Sequence, residues 1–389
     1  MRRIAAHYIF PISGEPIPMG VVTLNDEGII TAIGQLQNET ESTEFYNGII
    51  TAGFVNVHCH LELSHLQNAY TLQNGLAGFI AQMNNVSRYQ VNEEARKTAM
   101  AQADKIMLRN GIVAVGDICN TSESFSIKKN SSIFYHSFVE AAGLDEAIAD
   151  KKTQIAKQVF DEAKRLQLSA SITPHAAYSM SERLFAFTIK TANDAQILSV
   201  HNQESEEENA LFLKGQGALY DLFIKNNFPP PAVIGKNSIY RLLQKIQKNT
   251  QTLFVHNVAI NENDYDEASE FLPNLTWGLC PKSNLKIENK LPPVDLLYRK
   301  KARVAIGTDS LASNDELSVL SELKIIAQHF PQIPIQTLLQ WATLNGARAL
   351  KIDKQFGSLE VGKKPEIVWI ENVDLQKLQF TNDSQSKLL

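Results

Sequence analysis

Between residues 46 and 310 the chain repeats one unit: a short apolar, β-branched run, a polar turn, then a longer stretch with helical spacing. Eight such runs recur: GIITAGFVNVH (48–58), GIVAVGDI (111–118), SIFYHSFVEA (132–141), LSASITPH (168–175), QILSVHN (196–202), TLFVHNV (252–258), LTWGLCP (275–281) and RVAIGTDS (303–310). The runs are nearly continuous in apolar residues, which suits parallel strands covered on both faces. The stretches NEEARKTAMAQADKIMLRN, KKTQIAKQVFDEAKRLQ and SERLFAFTIKTAND each mix a polar face with apolar residues three or four apart, the pattern of a covering helix. Eight strand-helix units in succession predict an α/β fold of the (β/α)8, TIM-like barrel type.

The two ends break the rhythm. GVVTLNDEGIITAIG near the start and GSLEVGKKPEIVWIENVDLQKLQF near the end look like short strands joined by turns. They predict a small β-sandwich built from both termini, residues 1–50 plus 356–389, beside a metal-dependent catalytic barrel over 51–355. The last residues, TNDSQSKLL, are polar and are expected to fray.

Composition narrows the function. With 37 basic against 42 acidic residues, a formal charge of -5 and no basic block, nucleic acid is not an expected partner. The opening MRRIAAHYIFPISGEPIPMG starts basic, but His7 and Pro11 interrupt its apolar run before signal-peptide length, and no segment has the apolar length of a membrane span. Cys59, Cys119 and Cys280 are too few and too scattered for a disulfide framework. A soluble cytoplasmic protein is the expectation, with a small molecule as its partner and a second copy of the chain as the one protein partner considered.

In a barrel of this kind working groups sit where strands end and loops begin. His58 and His60 close the first run, His201 the fifth, His256 the sixth and Asp309 the eighth. Side chains alternate along a strand, so His58 and His60 share one side while Cys59 faces the other and packs. Three imidazoles and a carboxylate suit one divalent metal, Zn(II), although Fe(II) accepts the same donors. Glu204, three residues past His201, is placed to carry a proton, whereas Glu206, Glu207 and Glu208 look like a solvated helix start. His175 follows the fourth run; a role at the substrate and a role in the core are both open for it. Ser283 and Asn284 in CPKSN are polar loop residues, open to turn chemistry or to substrate.

Two phosphate-loop look-alikes carry nothing. GSLEVGKK has Lys364 where Ser or Thr is required and runs into an apparent strand, and GQGALY lacks the third glycine of a dinucleotide fingerprint.

The segments TAGFVNVHCH, GIVAVGDI, TPHAAYS, SVHNQES, LFVHNV, CPKSNLKI, GTDSLASN, ATLNGARAL and GSLEVGKKPEIV, in that order, resemble the amidohydrolase superfamily across nearly the whole chain. Within it the resemblance is to the mononuclear aminohydrolase and chlorohydrolase branch, which includes deaminases of S-adenosylhomocysteine, guanine and cytosine. HCHLELS and HNQESEEENALFLKGQG look most like aminodeoxyfutalosine deaminase-like proteins. The resemblance implies one metal held by His58, His60, His201 and Asp309, because His175 stands where other branches carry a metal-bridging lysine. It makes Glu204 the proton shuttle and His256 the residue that holds the attacking water. Glu62, Phe79, Arg88, His175, Ser283 and Asn284 become candidate substrate contacts. The implied function is release of ammonia from an amino-substituted, purine-like heterocycle. Hydrolysis of a chloro-substituted ring or cyclic amide, and a silent barrel kept for assembly, are the alternatives.

Overall fold

The computed structural model describes the chain apart from residues 38–41, 72, 86–90 and 194–196. Strands β1 (Arg2–Phe10), β2 (Ile17–Leu24), β3 (Ile30–Gln35) and β4 (Thr43–Ala52) come from the N-terminal end, and β13 (Ile367–Asp374) and β14 (Gln379–Leu388) from the C-terminal end. They form one six-stranded sheet in the order β14-β13-β4-β1-β2-β3, with β1 and β4 parallel and the other neighbours antiparallel. Ile4, Ala6, Ile9, Val22, Ile50 and Ile367 fill its buried core. Two packed sheets were expected here; the described residues make a single one. The tail expected to fray is the edge strand β14. Its backbone pairs with β13 from Val368 opposite Leu388 onward, so the ladder holds it although its side chains are polar.

Eight further strands follow in two parallel sheets: β5 (Phe54–Cys59), β6 (Ile112–Cys119), β7 (Phe134–Ala141) and β8 (Ser169–Pro174), then β9 (Ile197–Asn202), β10 (Gln251–His256), β11 (Leu275–Leu279) and β12 (Val304–Ile306). Every residue of β5, β6 and β9 is buried, as strands covered on both faces must be. Val55, Val57, Ile118, Phe138, Leu253, Val255 and Ala305 pack together, while a larger apolar cluster joins the strands to the surrounding helices. The sheets touch at both edges. Asp309 N and Thr308 N donate to His58 O at 3.0 Å, and His201 N donates to His175 O at 2.9 Å.

The three expected helices span Glu93–Arg109, Ala149–Arg165 and Glu182–Asn193, the first capped by the Asn92 side chain accepting from Ala95 N. The first apolar run, however, is two strands. The chain turns at Gly53, whose N donates to Glu366 O, so that β4 joins the mixed sheet and β5 the parallel one. A Cβ there would lie 2.5 Å from both Val113 methyls, so the approach of the two layers admits only glycine.

Beneath the end of β5 lies a buried ion pair. Lys128 Nζ sits 2.6 Å from Asp117 Oδ2 with both side chains fully buried, and it donates to Ser137 Oγ at 3.0 Å. Asp117 Oδ1 accepts from Leu61 N at 2.7 Å, which ties down the turn directly after His60. Lys128→Met would leave the Asp117 charge buried alone. Urea unfolding of that variant is expected to show a loss of about 3–5 kcal/mol, and an unchanged midpoint would refute the pair's role.

Candidate functional site

The ends of the parallel strands gather the histidines. His58 closes β5 and is fully buried; Asn56, two residues earlier, donates through Nδ2 to Thr308 Oγ1 at 2.8 Å and accepts from Thr308 N at 3.1 Å, locking β5 to the segment after β12. His58 Nε2 and His60 Nε2 face each other at 3.2 Å. Asp309 Oδ1 lies 3.5 Å from His60 Nε2 and 3.8 Å from His58 Nε2. The His201 ring centre is 4.8 Å from that of His58, and His256 is 5.3 Å from His201. Ligand atoms of His58, His60 and Asp309 lie within 4.8 Å of one another, as do those of His58, His201 and His256.

His256 (φ 74°) and Asp309 (φ 57°) adopt left-handed backbone, which costs a non-glycine residue energy and aims each side chain out of line with its strand. The surroundings hold them there. Asn257, left-handed as well, donates to Phe254 O at 2.8 Å and Gly278 O at 3.0 Å, and Asp309 Oδ2 accepts from Ser283 Oγ and Ser313 Oγ, both at 2.7 Å.

Burial sets the charges. His58 and His201 are held well below the usual imidazole range, first by burial and then by neighbouring imidazoles. His256 falls to about 4, chiefly through burial. Burial would raise the Asp309 carboxyl, but His60 and His256, with the hydroxyls of Ser313 and Ser283, outweigh it and hold the group at about 2. The buried imidazoles of His58, His201 and His256, all lowered, beside the Asp309 carboxylate are a donor set for a cation, so the residues present fit a divalent metal. His201 Nδ1–H donates to the carbonyl of His175 at 2.9 Å, which leaves Nε2 as its basic nitrogen.

Glu204 lies beside this cluster, with Oε1 3.7 Å from His256 Nε2. Burial, and after it Asp309 and Glu208, push its carboxyl well above the usual range, which favours its protonated form. The Asn284 amide nitrogen approaches His256 Nδ1 at 3.1 Å; as a donor it leaves the imidazole proton on Nε2, the side of Glu204.

Among the candidate substrate contacts, the structure gives several a partner within the protein. Glu62 accepts from Asn120 N at 3.2 Å, Thr121 N at 3.1 Å and Thr121 Oγ1 at 2.8 Å. Ser283 is on Asp309 and Asn284 on His256, as described. His175 stacks on His201 with ring centres 4.6 Å apart, its Nδ1 2.8 Å from Ser179 Oγ, and burial lowers it to about 3. Phe79 packs against the Leu63, Leu66 and Ala312 cluster and meets Tyr70 edge to face. Arg88 lies outside the described residues. Of the acidic trio after Glu204, Glu206 is exposed, but Glu208 is fully buried and accepts from Glu204 N at 3.1 Å, which corrects its reading as a solvated residue. Glu140, Asn120 and Ser313 are unremarked in the sequence; Glu140 is next to last in β7, Asn120 directly follows β6, and Ser313 lies in the loop after β12.

A parallel α/β fold carrying such a cluster at its strand ends has the construction of a metal-dependent enzyme. The chain belongs to the amidohydrolase family, whose model matches residues 49–387. It is 27% identical over 365 residues to an adenosine deaminase of Helicobacter pylori, covering 88% of this chain and 87% of that protein. It is 28% identical over 335 residues to an aminodeoxyfutalosine deaminase of Nitratiruptor sp., covering 84% and 79%. The crystal structure of Helicobacter pylori aminofutalosine deaminase in complex with methylthio-coformycin superposes with a TM-score of 0.83 at 23% identity, over 98% of this chain and 94% of that one.

Proposed function

We propose that this chain is a metal-dependent aminohydrolase that releases ammonia from the amino-substituted ring of an adenine-type nucleoside, of which aminodeoxyfutalosine is one. The observation that carries the reading is a buried carboxyl, Glu204, 3.7 Å from the Nε2 of His256 and beside the cluster of His58, His60, His201 and Asp309. Deaminase relatives matching most of the chain support it.

On this reading His58, His60, His201 and Asp309 hold the metal, zinc by its donor set, with Fe(II) accepting the same donors. A divalent metal bound there lowers the pKa of water from about 15.7 toward about 7 and so supplies the nucleophile at neutral pH. Asp309, ionised and fixed by two serine hydroxyls, takes the proton the water gives up. His256, protonated at Nε2, donates a hydrogen bond that orients the attacking oxygen. Glu204 protonates a ring nitrogen, which makes the amine-bearing carbon electrophilic; the proton received by Asp309 leaves with ammonia, and the hydroxyl proton of the adduct returns to Glu204 as the carbonyl forms. The same reading takes the two parallel sheets as one closed (β/α)8 barrel over 51–355, with 1–50 and 356–389 as the small β domain. Among the described residues no helix is long and apolar enough to cross a membrane, and a cytoplasmic enzyme is proposed.

The test is ammonia release from a panel of adenosine-type, futalosine-type, guanine and chlorinated-ring substrates, run before and after removal of metal by a chelator. Turnover of an adenine-type nucleoside, lost on chelation and restored by zinc, is expected. No ammonia from any amine, or a chlorinated ring as the best substrate, would overturn the reading.

A further inference from the structure

Glu140 is the next-to-last residue of strand β7, and its side chain is 5% exposed. Its Oε2 accepts from Asn120 Nδ2 at 3.0 Å. Its Oε1 is sealed from solvent, has no hydrogen-bond partner among the described residues, and faces His201 Nδ1 at 3.6 Å. A buried carboxylate oxygen left without a donor is costly, so it persists where a positive charge offsets it. Three occupants could supply that charge or donor. A substrate group would need a path to an atom that water cannot touch. A second ion held by Glu140, His175 and His201, whose ligand atoms also converge, would need a nitrogen of His201, whose Nδ1 is engaged by the His175 carbonyl and whose Nε2 serves the first metal on the proposed reading. What remains is the His201 imidazole itself, which gains positive character when its other nitrogen donates its lone pair to a cation.

We propose that Glu140 is a positioning residue for the metal centre: set behind Nδ1 of His201, its negative charge strengthens the donation of Nε2, and Asn120 fixes it there. The inference rests on the reading of His201 as a metal ligand. Asn120 is itself anchored, since its backbone N donates to Glu62, on the turn after His60. The ends of β5, β6 and β7 are thus braced onto the histidine supplied by β9, across the edge where the two parallel sheets meet. The hydrogen bond to the His175 carbonyl sets the tautomer of His201; the carboxylate sets its field.

The experiment compares zinc release to a chromophoric chelator from the full-length wild-type protein and from Glu140→Gln, Asn120→Ala and His201→Ala. Glu140→Gln is expected to hold zinc about 10–100-fold more weakly, with Asn120→Ala moving the same way by less. The metal-free Glu140→Gln protein should melt no lower than metal-free wild type, because the unpaired charge is of no use without the cation; a merely structural glutamate would lower that melting point and overturn the proposal. Wild-type retention of zinc in Glu140→Gln, a raised KM with unchanged metal binding, or two zinc ions per wild-type chain with one lost in the variant, would each overturn it as well. If His201→Ala also keeps its zinc, the reading of the whole centre fails; if only Glu140→Gln keeps it, this inference fails alone.

Discussion

Replacing Asp309 with asparagine is expected to lower kcat/KM by about 10³-fold or more and to strip the protein of most of its metal. A bound divalent ion contributes several kcal/mol of transition-state stabilisation, and each 1.36 kcal/mol is about tenfold in rate. The substitution preserves shape: the two hydroxyls that now donate to Oδ2, from Ser283 and Ser313, can still donate to the amide oxygen. What disappears is the carboxylate that meets the His58 and His60 nitrogens, and with it, on the proposed reading, both the anionic ligand and the group that accepts the proton from water. Metal content by emission spectroscopy and steady-state kinetics on the same preparation decide the matter. A variant retaining about one metal per chain and wild-type kcat would show that Asp309 serves neither role.

How much of this was legible beforehand follows from the physics of strands. His58, His60, His201, His256 and Asp309 could be picked out because an ionisable residue ending an apolar run is conspicuous, and the structure does bring these five together. Glu140 and Asn120 lie near the ends of runs as well, but a lone acid or amide there looks like an ordinary turn until the fold sets it behind a histidine. Glu208 reads as solvated because three consecutive glutamates open a helix. Only the packing of that helix against the strand ends buries one of the three. The division of the first run at Gly53 was invisible because both halves, β4 and β5, are equally apolar; the turn is dictated by the closeness of Val113 and the hydrogen bond to Glu366. Strand β14 has mostly exposed, polar side chains, so hydropathy says nothing of a segment held by backbone pairing. The joining of the chain ends was expected, but the strand order that sets β4 between β13 and β1 follows from contacts between residues more than 300 apart, such as Ile50 opposite Trp369, which no local pattern encodes.

Glu204→Gln separates proton delivery from metal binding. The amide has the size of the carboxylic acid and the charge of its protonated form, which burial favours, so metal content and melting temperature should stay near wild type. The rate of deamination should fall by about 10²–10⁴-fold, the usual contribution of a general acid. The pH profile adds a second signature. Burial and the nearby Asp309 raise the Glu204 pKa, so the acid form persists to higher pH than in an exposed glutamate and is lost as the pH rises through the raised value. The wild-type rate is therefore expected to fall on the alkaline side, and the residual rate of the variant should lack that limb. An amine leaves poorly unless the ring is protonated, whereas a chloride leaves without help; on a chlorinated analogue the same substitution should cost far less. Equal losses on both substrates would mean that Glu204 orients the bound ring instead of protonating it. A loss of metal together with activity would place Glu204 among the groups that hold the ion, and the assignment of roles around His256 would have to be redrawn.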